Sequence, residues 1–183
     1  MLEHASLTVL FICYRGVSHE LVRHRVASFA QESTRYCNYG KRGLTFIIPP
    51  WLDVVPGEYS TTLPLYKQFQ GELKAGSMQW YETMAAAEAS YNTLLAQGWK
   101  PEQARAVLPN SLKTEVVVTA NIREWRHILS LRAVGSTGKP HPQMRELMIP
   151  LLTELSHMSP VLFEDLFDSM TDDAHFFAPF TTP

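Results

Sequence analysis

The densest run of chemically capable side chains is Arg23-His24-Arg25, followed after seven residues by Ser33, with Gln31, Glu32, Thr34 and Arg35 beside it. Guanidinium forks match phosphate oxygens, so this set suits a multiply charged, phosphate-bearing ligand. Successive residues of a helix are fanned by about 100°, so Arg23, His24 and Arg25 cannot all face one point. Either a helix ends there or the three serve different binding clefts, different subunits included. A solvated, charged helix end is the plainer reading of the same residues.

A second constellation runs from Asn121 to Arg132. Asn121 with Glu124 three residues on has capping-box spacing and predicts a helix reaching about Ala133. On that helix Ile122, Trp125, Ile128 and Leu129 form an apolar arc, and Arg123, Arg126, His127 and Ser130 face the other way. Arg132 falls in the middle of the apolar arc. A buried guanidinium needs a partner, because an unpaired buried charge is very costly. A ligand carbonyl or anion is one candidate. A fraying last turn, or the negative end of the helix dipole, is the other.

Arg105, ahead of Val107-Leu108-Pro109, is a candidate anion contact, and His141 sits between two prolines on a rigid loop. Cys37 has no neighbour that would activate a thiol, so it reads as inert. The histidines lack metal-ligand spacing, and no metal is expected. Phosphate-loop, dinucleotide-fold and nucleophile-elbow signatures are absent, so a nucleotide cofactor would be held by side chains and helix ends.

The elements that position these groups follow from patterning. Ser6–Tyr14 reads as a largely buried strand, with a short helix after it to about Arg25. A loop-rich middle contains a short strand at Leu44–Ile48. Leu65, Phe69, Leu73, Trp80, Met84, Ala87, Tyr91 and Leu94 mark a long amphipathic helix, stopped by Gly98 and Pro101. A short helix from Pro101 to Val107, a strand over Lys113–Ala120 and a helix over Pro142–His157, kinked at Pro150, complete the set. Strands and helices mix without βαβ alternation, so the expected class is α+β: a mixed sheet packed with one long helix and several shorter ones. The 183 residues are expected to form one domain, with an acidic, frayed tail over 166–183.

Composition narrows the function classes. With 45% hydrophobic and 19% charged residues the chain can bury a core. A net charge of −2 disfavours a bulk electrostatic binder of nucleic acid or anionic membrane. Even so, residues 1–50 hold six basic side chains (Arg15, Arg23, Arg25, Arg35, Lys41, Arg42) against Glu3, Glu20 and Glu32. No apolar run approaches the roughly 18 residues of a membrane span. Two cysteines make no disulfide framework, so a reduced, cytoplasmic protein is expected.

Arg23-His24-Arg25, seven residues, then Ser33 resembles the signature of the flavin-dependent thymidylate synthases. The similarity extends through Leu2–Ser6, Arg15–Val22, Arg35-Tyr36, Ile47–Pro49, Ala104–Pro109, Asn121–Arg132 and His141, reaching about Asp165. The resemblance implies FAD, dUMP, methylenetetrahydrofolate and NADPH as ligands, and a homotetramer with active sites between subunits. It implies that Arg23, His24, Arg25, Asn121, Arg123 and His127 hold FAD, with Gln31 between flavin and nucleotide. Glu20, Leu21, Val22, Arg23, Gln31, Glu32, Ser33, Thr34, Arg35 and Arg105 would surround dUMP. Arg132 would meet the uracil ring, favour ionisation at N3 and stabilise the negative charge that develops there. The implied mechanism needs no protein nucleophile, and Ser33 becomes a phosphate or ring contact.

The chain departs from the family pattern in several places. Ala30-Gln31 replace a common Asn-Glu pair, Glu20 stands where glutamine is frequent, and residues 134–139 resemble a small insertion. Met1 falls where the family's His-Glu-Ser/Thr-Pro segment ends, so several dozen family residues are expected to be missing upstream of Leu2. Two further readings stand beside the enzyme. One is a truncated, non-catalytic relative that binds nucleotide or flavin weakly. The other is a nucleic-acid phosphate-binding module built on Arg15–Arg42.

Overall fold

The computed structural model describes residues 1–59 and 73–171. Within the single domain expected from length, contacts cluster into two compact units: residues 1–31 with the chain from Glu115 onward, and residues 32–114.

The first unit is built on a three-stranded sheet of order β1-β3-β2, with β1 Ser6–Tyr14, β2 Ala27–Gln31 and β3 Lys113–Asn121. β2 pairs antiparallel with β3, from Ala27 opposite Ala120 to Gln31 opposite Val116, where a sheet of mixed direction was expected. Side chains alternate across a strand, so one face of the sheet carries Phe11, Cys13, Val116, Val118 and Ala120 into the core. The apolar run of β1 predicts burial on both faces. Instead, Leu10 and Ile12 are 54% and 56% exposed on the opposite face.

Helix α1 spans Arg15–Leu21, shorter than the expected reach to Arg25. The fifth helix, α5, spans Ile122–Leu129, and Asn121 Oδ1 accepts the Glu124 amide at 2.8 Å as its N-cap. Trp125, Ile128 and Leu129 are buried, and the Trp125 indole donates to the Leu7 carbonyl at 2.9 Å. The expected continuation to Ala133 is a wider π-turn, Ser130–Val134, closed by Gly135 N–H to Ser130 O at 2.9 Å. Gly135 ends it at φ +85°, where an added Cβ would also lie 2.9 Å from Pro140. Helix α6, Pro142–Met158, runs through Pro150, which is exposed along with Glu146, whose carbonyl the proline leaves without an amide partner. Helix α7, Pro160–Thr171, includes residues 166–171 of the expected frayed tail. Arg126 pins it with two bonds to the Asp165 carboxylate, at 2.8 and 2.5 Å.

In the second unit, α2 (Tyr39–Arg42), α3 (Ala75–Ala96) and α4 (Pro101–Ala104, followed by a 3₁₀ turn at Arg105–Val107) pack around Tyr39, Tyr91, Ala104 and Leu112. Of the predicted long-helix stripe, Leu65 and Phe69 lie outside the described residues. Met84 and Tyr91 are buried, and Tyr81 takes the buried place expected of Trp80. Gly98, at φ +88°, caps α3 as expected. The expected strand Leu44–Ile48 reduces to one bridge, Phe46 to Leu112. Gly43 at φ +81° and Pro49-Pro50, which lack amide donors, stop it from extending. Asp53 serves as a remote cap for α3, accepting the Lys74 amide at 3.3 Å and the Ser77 hydroxyl.

Candidate functional site

Each unit carries one cluster of the predicted residues. In the first, the end of α1 does the positioning. Arg23 N–H bonds to Glu20 O at 3.2 Å and His24 N–H to Leu21 O at 3.1 Å, a tightened last turn that splays the next three side chains. His24 turns inward and is buried, while Arg23 and Arg25 stay exposed. The three side chains therefore do not face one point. Arg25 donates back to the Val22 carbonyl at 3.3 Å. Leu21 is buried in the core, which leaves only its main chain for a ligand; Val22 is half-buried.

Arg132, on the π-turn, is the centre of this cluster. Its Nε donates to His24 Nε2 at 3.2 Å and its Nη1 reaches Glu20 Oε2 at 3.2 Å. The partner that the sequence demanded is therefore supplied in part by the chain itself. A uniform 100° wheel fails past Leu129, because a π-turn rotates each residue by less. Such insertions are frequent at functional sites.

His24 is also 3.7 Å from Glu124 through Nδ1, and the two side chains are only 5% and 10% exposed. Burial first, then the Arg132 and His127 charges, push the His24 pKa down to about 4. The ring is thus neutral near pH 7. Because Nε2 accepts from Arg132, the one ring proton sits on Nδ1, facing Glu124. His127 is exposed, with its ring centroid 6.1 Å from that of His24. Arg123 is exposed and bonds to Glu3, and Asn121 spends its carbonyl oxygen on the helix cap. Gln31, at the end of β2, donates to the buried Ser18 hydroxyl at 2.8 Å.

The second cluster lies within the second unit. Thr34 is buried, and Arg105 Nη1 donates to its hydroxyl at 3.0 Å. Ser33 Oγ accepts the Arg35 amide at 3.2 Å, and its carbonyl accepts the amides of Tyr36 and Cys37. The hydroxyl therefore orders a turn, and among the described residues its hydrogen-bond partner is the Arg35 amide. Arg35 pairs with Glu102 at 3.4 Å and lies 5.4 Å above the Tyr36 ring; Glu32 faces Lys113 at 3.7 Å. Two exposed guanidiniums beside an ordered hydroxyl turn suit a phosphate. Burial and Glu32 raise the Cys37 pKa, and burial pushes Cys13 up to about 11, as expected for inert thiols. A cavity of about 370 Å³ in this unit, lined by Phe46, Trp80, Tyr81, Met84 and Glu88 among others, contains none of the predicted residues. Among the described residues no group of three His, Cys, Asp or Glu side chains is placed to hold a metal, and no helix is long and apolar enough to cross a membrane.

Sequence reasoning missed Glu124 as a buried partner of His24, having used it only as a cap residue. Its place about 40° from Ile128 on the helical wheel, at the border of the apolar arc, was the available signal. Ser18, the anchor of Gln31, gave none.

A flavin-dependent thymidylate synthase from Geobacter sulfurreducens is 33% identical over 166 residues, covering 90% of this chain and 62% of that protein. One from Corynebacterium aurimucosum is 36% identical over 172 residues, covering 90% and 64%. The chain thus spans just under two thirds of the length of these relatives. Among solved structures, the Helicobacter pylori flavin-dependent thymidylate synthase ThyX complexed with FAD and dUMP superposes with a TM-score of 0.64 at 26% identity, covering 90% of this chain and 74% of that one. The UMP/dUMP methylase PolB from Streptomyces cacaoi, bound with 5-Br dUMP, gives 0.68 at 26% identity, covering 92% and 72%. The arginine-rich clusters, the α+β frame around them and a sequence match over residues 1–161 converge, and the chain belongs to the family described as thymidylate synthase complementing protein.

Proposed function

We propose that this chain acts as a flavin-dependent thymidylate synthase, converting dUMP to dTMP with methylenetetrahydrofolate as the one-carbon donor and NADPH as the reductant, through FAD. The observation that carries this reading is Arg132, a guanidinium held by Glu20 and His24 at 3.2 Å each, on the stretch that matches the family. Both relatives named above are flavin-dependent thymidylate synthases.

The residues present fit FAD by their donor chemistry. Arg23, Arg25 and Arg123 are exposed guanidiniums suited to a diphosphate, Asn121 and His127 add nitrogen donors, and the buried His24 of the same run stands behind them on Arg132. FAD, when bound, supplies the reducing equivalents that complete the methyl group. The chain's own residues orient and stabilise. Arg132 takes the uracil ring and stabilises negative charge developing on it, the kind of electrostatic contribution often worth several kcal/mol. Glu20, Leu21, Val22, Arg23, Gln31, Glu32, Ser33, Thr34, Arg35 and Arg105 are the proposed dUMP contacts. Gln31 is neutral, so it can position a ligand by hydrogen bonding but cannot act as a base.

We further propose a homotetramer with sites between subunits, a reading supported by the outward splay of Arg23 and Arg25 and by the exposed Leu10 and Ile12 on β1. The free thiols of Cys13 and Cys37 accord with the proposed cytoplasmic setting, and the net charge of −2 accords with a function without nucleic acid or membrane as partner. Purified protein titrated with FAD tests the reading: an oxidised-flavin spectrum that shifts on adding dUMP is expected. A chain that binds neither refutes it, and one that binds both without turnover is the non-catalytic relative.

A further inference from the structure

We infer that Glu124 is a positioning residue for Arg132, acting through His24. The inference deepens the proposed function and rests on it only for the identity of the ligand. Glu124 is 8% exposed, on the rim of the arc that buries Trp125 and Ile128, where an apolar side chain would be cheaper to bury. Its amide is capped by Asn121, but its carboxylate turns away from the cap to face His24 Nδ1 at 3.7 Å. His24 in turn accepts from Arg132 Nε at 3.2 Å, and Glu20 holds the far side of the guanidinium at 3.2 Å.

The chain of contacts has a direction. An imidazole has one lone pair to give when neutral, and Arg132 needs it on Nε2. That requires the proton on Nδ1, buried, where only an acceptor makes it tolerable. The Glu124 carboxylate, 3.7 Å away and so just beyond hydrogen-bond length, favours a proton there by its facing negative charge, and with it the tautomer that can hold Arg132. The other group near the ring is His127, edge-on at 6.1 Å between centroids and exposed, so it does not compete for Nδ1. This is the logic by which an outer carboxylate fixes a histidine so that the histidine's other nitrogen meets its target.

The test compares the full chain with Glu124→Ala and Glu124→Gln by nitrogen-15 NMR of the imidazoles and of the Arg132 Nε–H. The wild type is expected to show His24 protonated at Nδ1, with an Arg132 Nε–H that exchanges slowly. Glu124→Gln keeps an acceptor oxygen and is expected to retain both signatures. Glu124→Ala is expected to lose the single tautomer, to speed Nε–H exchange, and to weaken dUMP binding by about tenfold, the low end of what losing a functional histidine's outer partner costs. A wild-type His24 protonated at Nε2 overturns the inference whether or not the alanine variant folds. So does a folded Glu124→Ala with unchanged spectra. The spectra need no nucleotide, so wild-type protein that carries the Nδ1 tautomer yet ignores dUMP would sink the proposed function and leave the positioning role standing.

Discussion

Glu20 occupies an unusual place, since its carboxylate holds the guanidinium that the uracil would need. The informative perturbation is Glu20→Gln, which preserves shape and hydrogen bonding and removes the charge. At 3.2 Å between Arg132 Nη1 and Glu20 Oε2, the bare Coulomb attraction is about 5 kcal/mol at an effective dielectric of 20. The side chains are 23% and 29% exposed, so desolvation and side-chain entropy reduce it towards the values measured for exposed pairs, leaving about 1–2 kcal/mol net. A nucleotide that recruits Arg132 must share or displace this pair. Glu20→Gln is therefore expected to tighten dUMP binding by about 5- to 30-fold, read by calorimetry at fixed salt. A control comes from Tyr14, whose pKa is pushed up to about 12 by burial and secondarily by the Glu20 charge. Its ultraviolet titration should move down in the variant. If Tyr14 moves while dUMP affinity stays level or falls, Glu20 does not compete with the nucleotide for Arg132.

Arg132→Ala is expected to abolish turnover while leaving bound flavin largely intact; flavin spectra and single-turnover assays separate the two, and equal loss of both would contradict its assigned role. Asn121→Ala removes the N-cap of α5 and should destabilise the fold by about 1 kcal/mol, a drop in Tm of about 2–4 °C by circular dichroism. The pKa of His24 is depressed in the fold, from 6.5 to about 4, so its neutral form contributes stability that is fully present above pH 6.5 and is lost as pH falls from there towards 4. Urea midpoints measured between pH 7 and 4 should fall more steeply for wild type than for His24→Gln, and parallel slopes would contradict the assignment.

What the sequence revealed of this fold follows from the range of each interaction. The bounds of β1 match the expected Ser6–Tyr14, and the Asn121 cap forms as its spacing predicts, because strand composition and capping are local. β2 was not anticipated: Ala-Ser-Phe-Ala-Gln has little β-branched content, and its pairing with β3 is a contact between segments distant in the chain. The demand for a partner to Arg132 was legible from the helical wheel, yet its identity was not. Glu20 lies 112 residues away, and the π-turn breaks the periodicity on which the wheel depends. The same limit hid Glu124, whose cap role is local while its contact with His24 is not.

We propose that the Arg132 cluster serves methylation of a pyrimidine nucleotide. Its most direct measurement is tritium release from dUMP labelled at C5, with the full chain, FAD, NADPH and methylenetetrahydrofolate together. Release is expected to match dTMP formed and to stop when any one of these is withheld or when Arg132 is replaced by Ala. Flavin-loaded protein that binds dUMP but releases no tritium, or that releases it equally well without Arg132, would refute this role for the cluster.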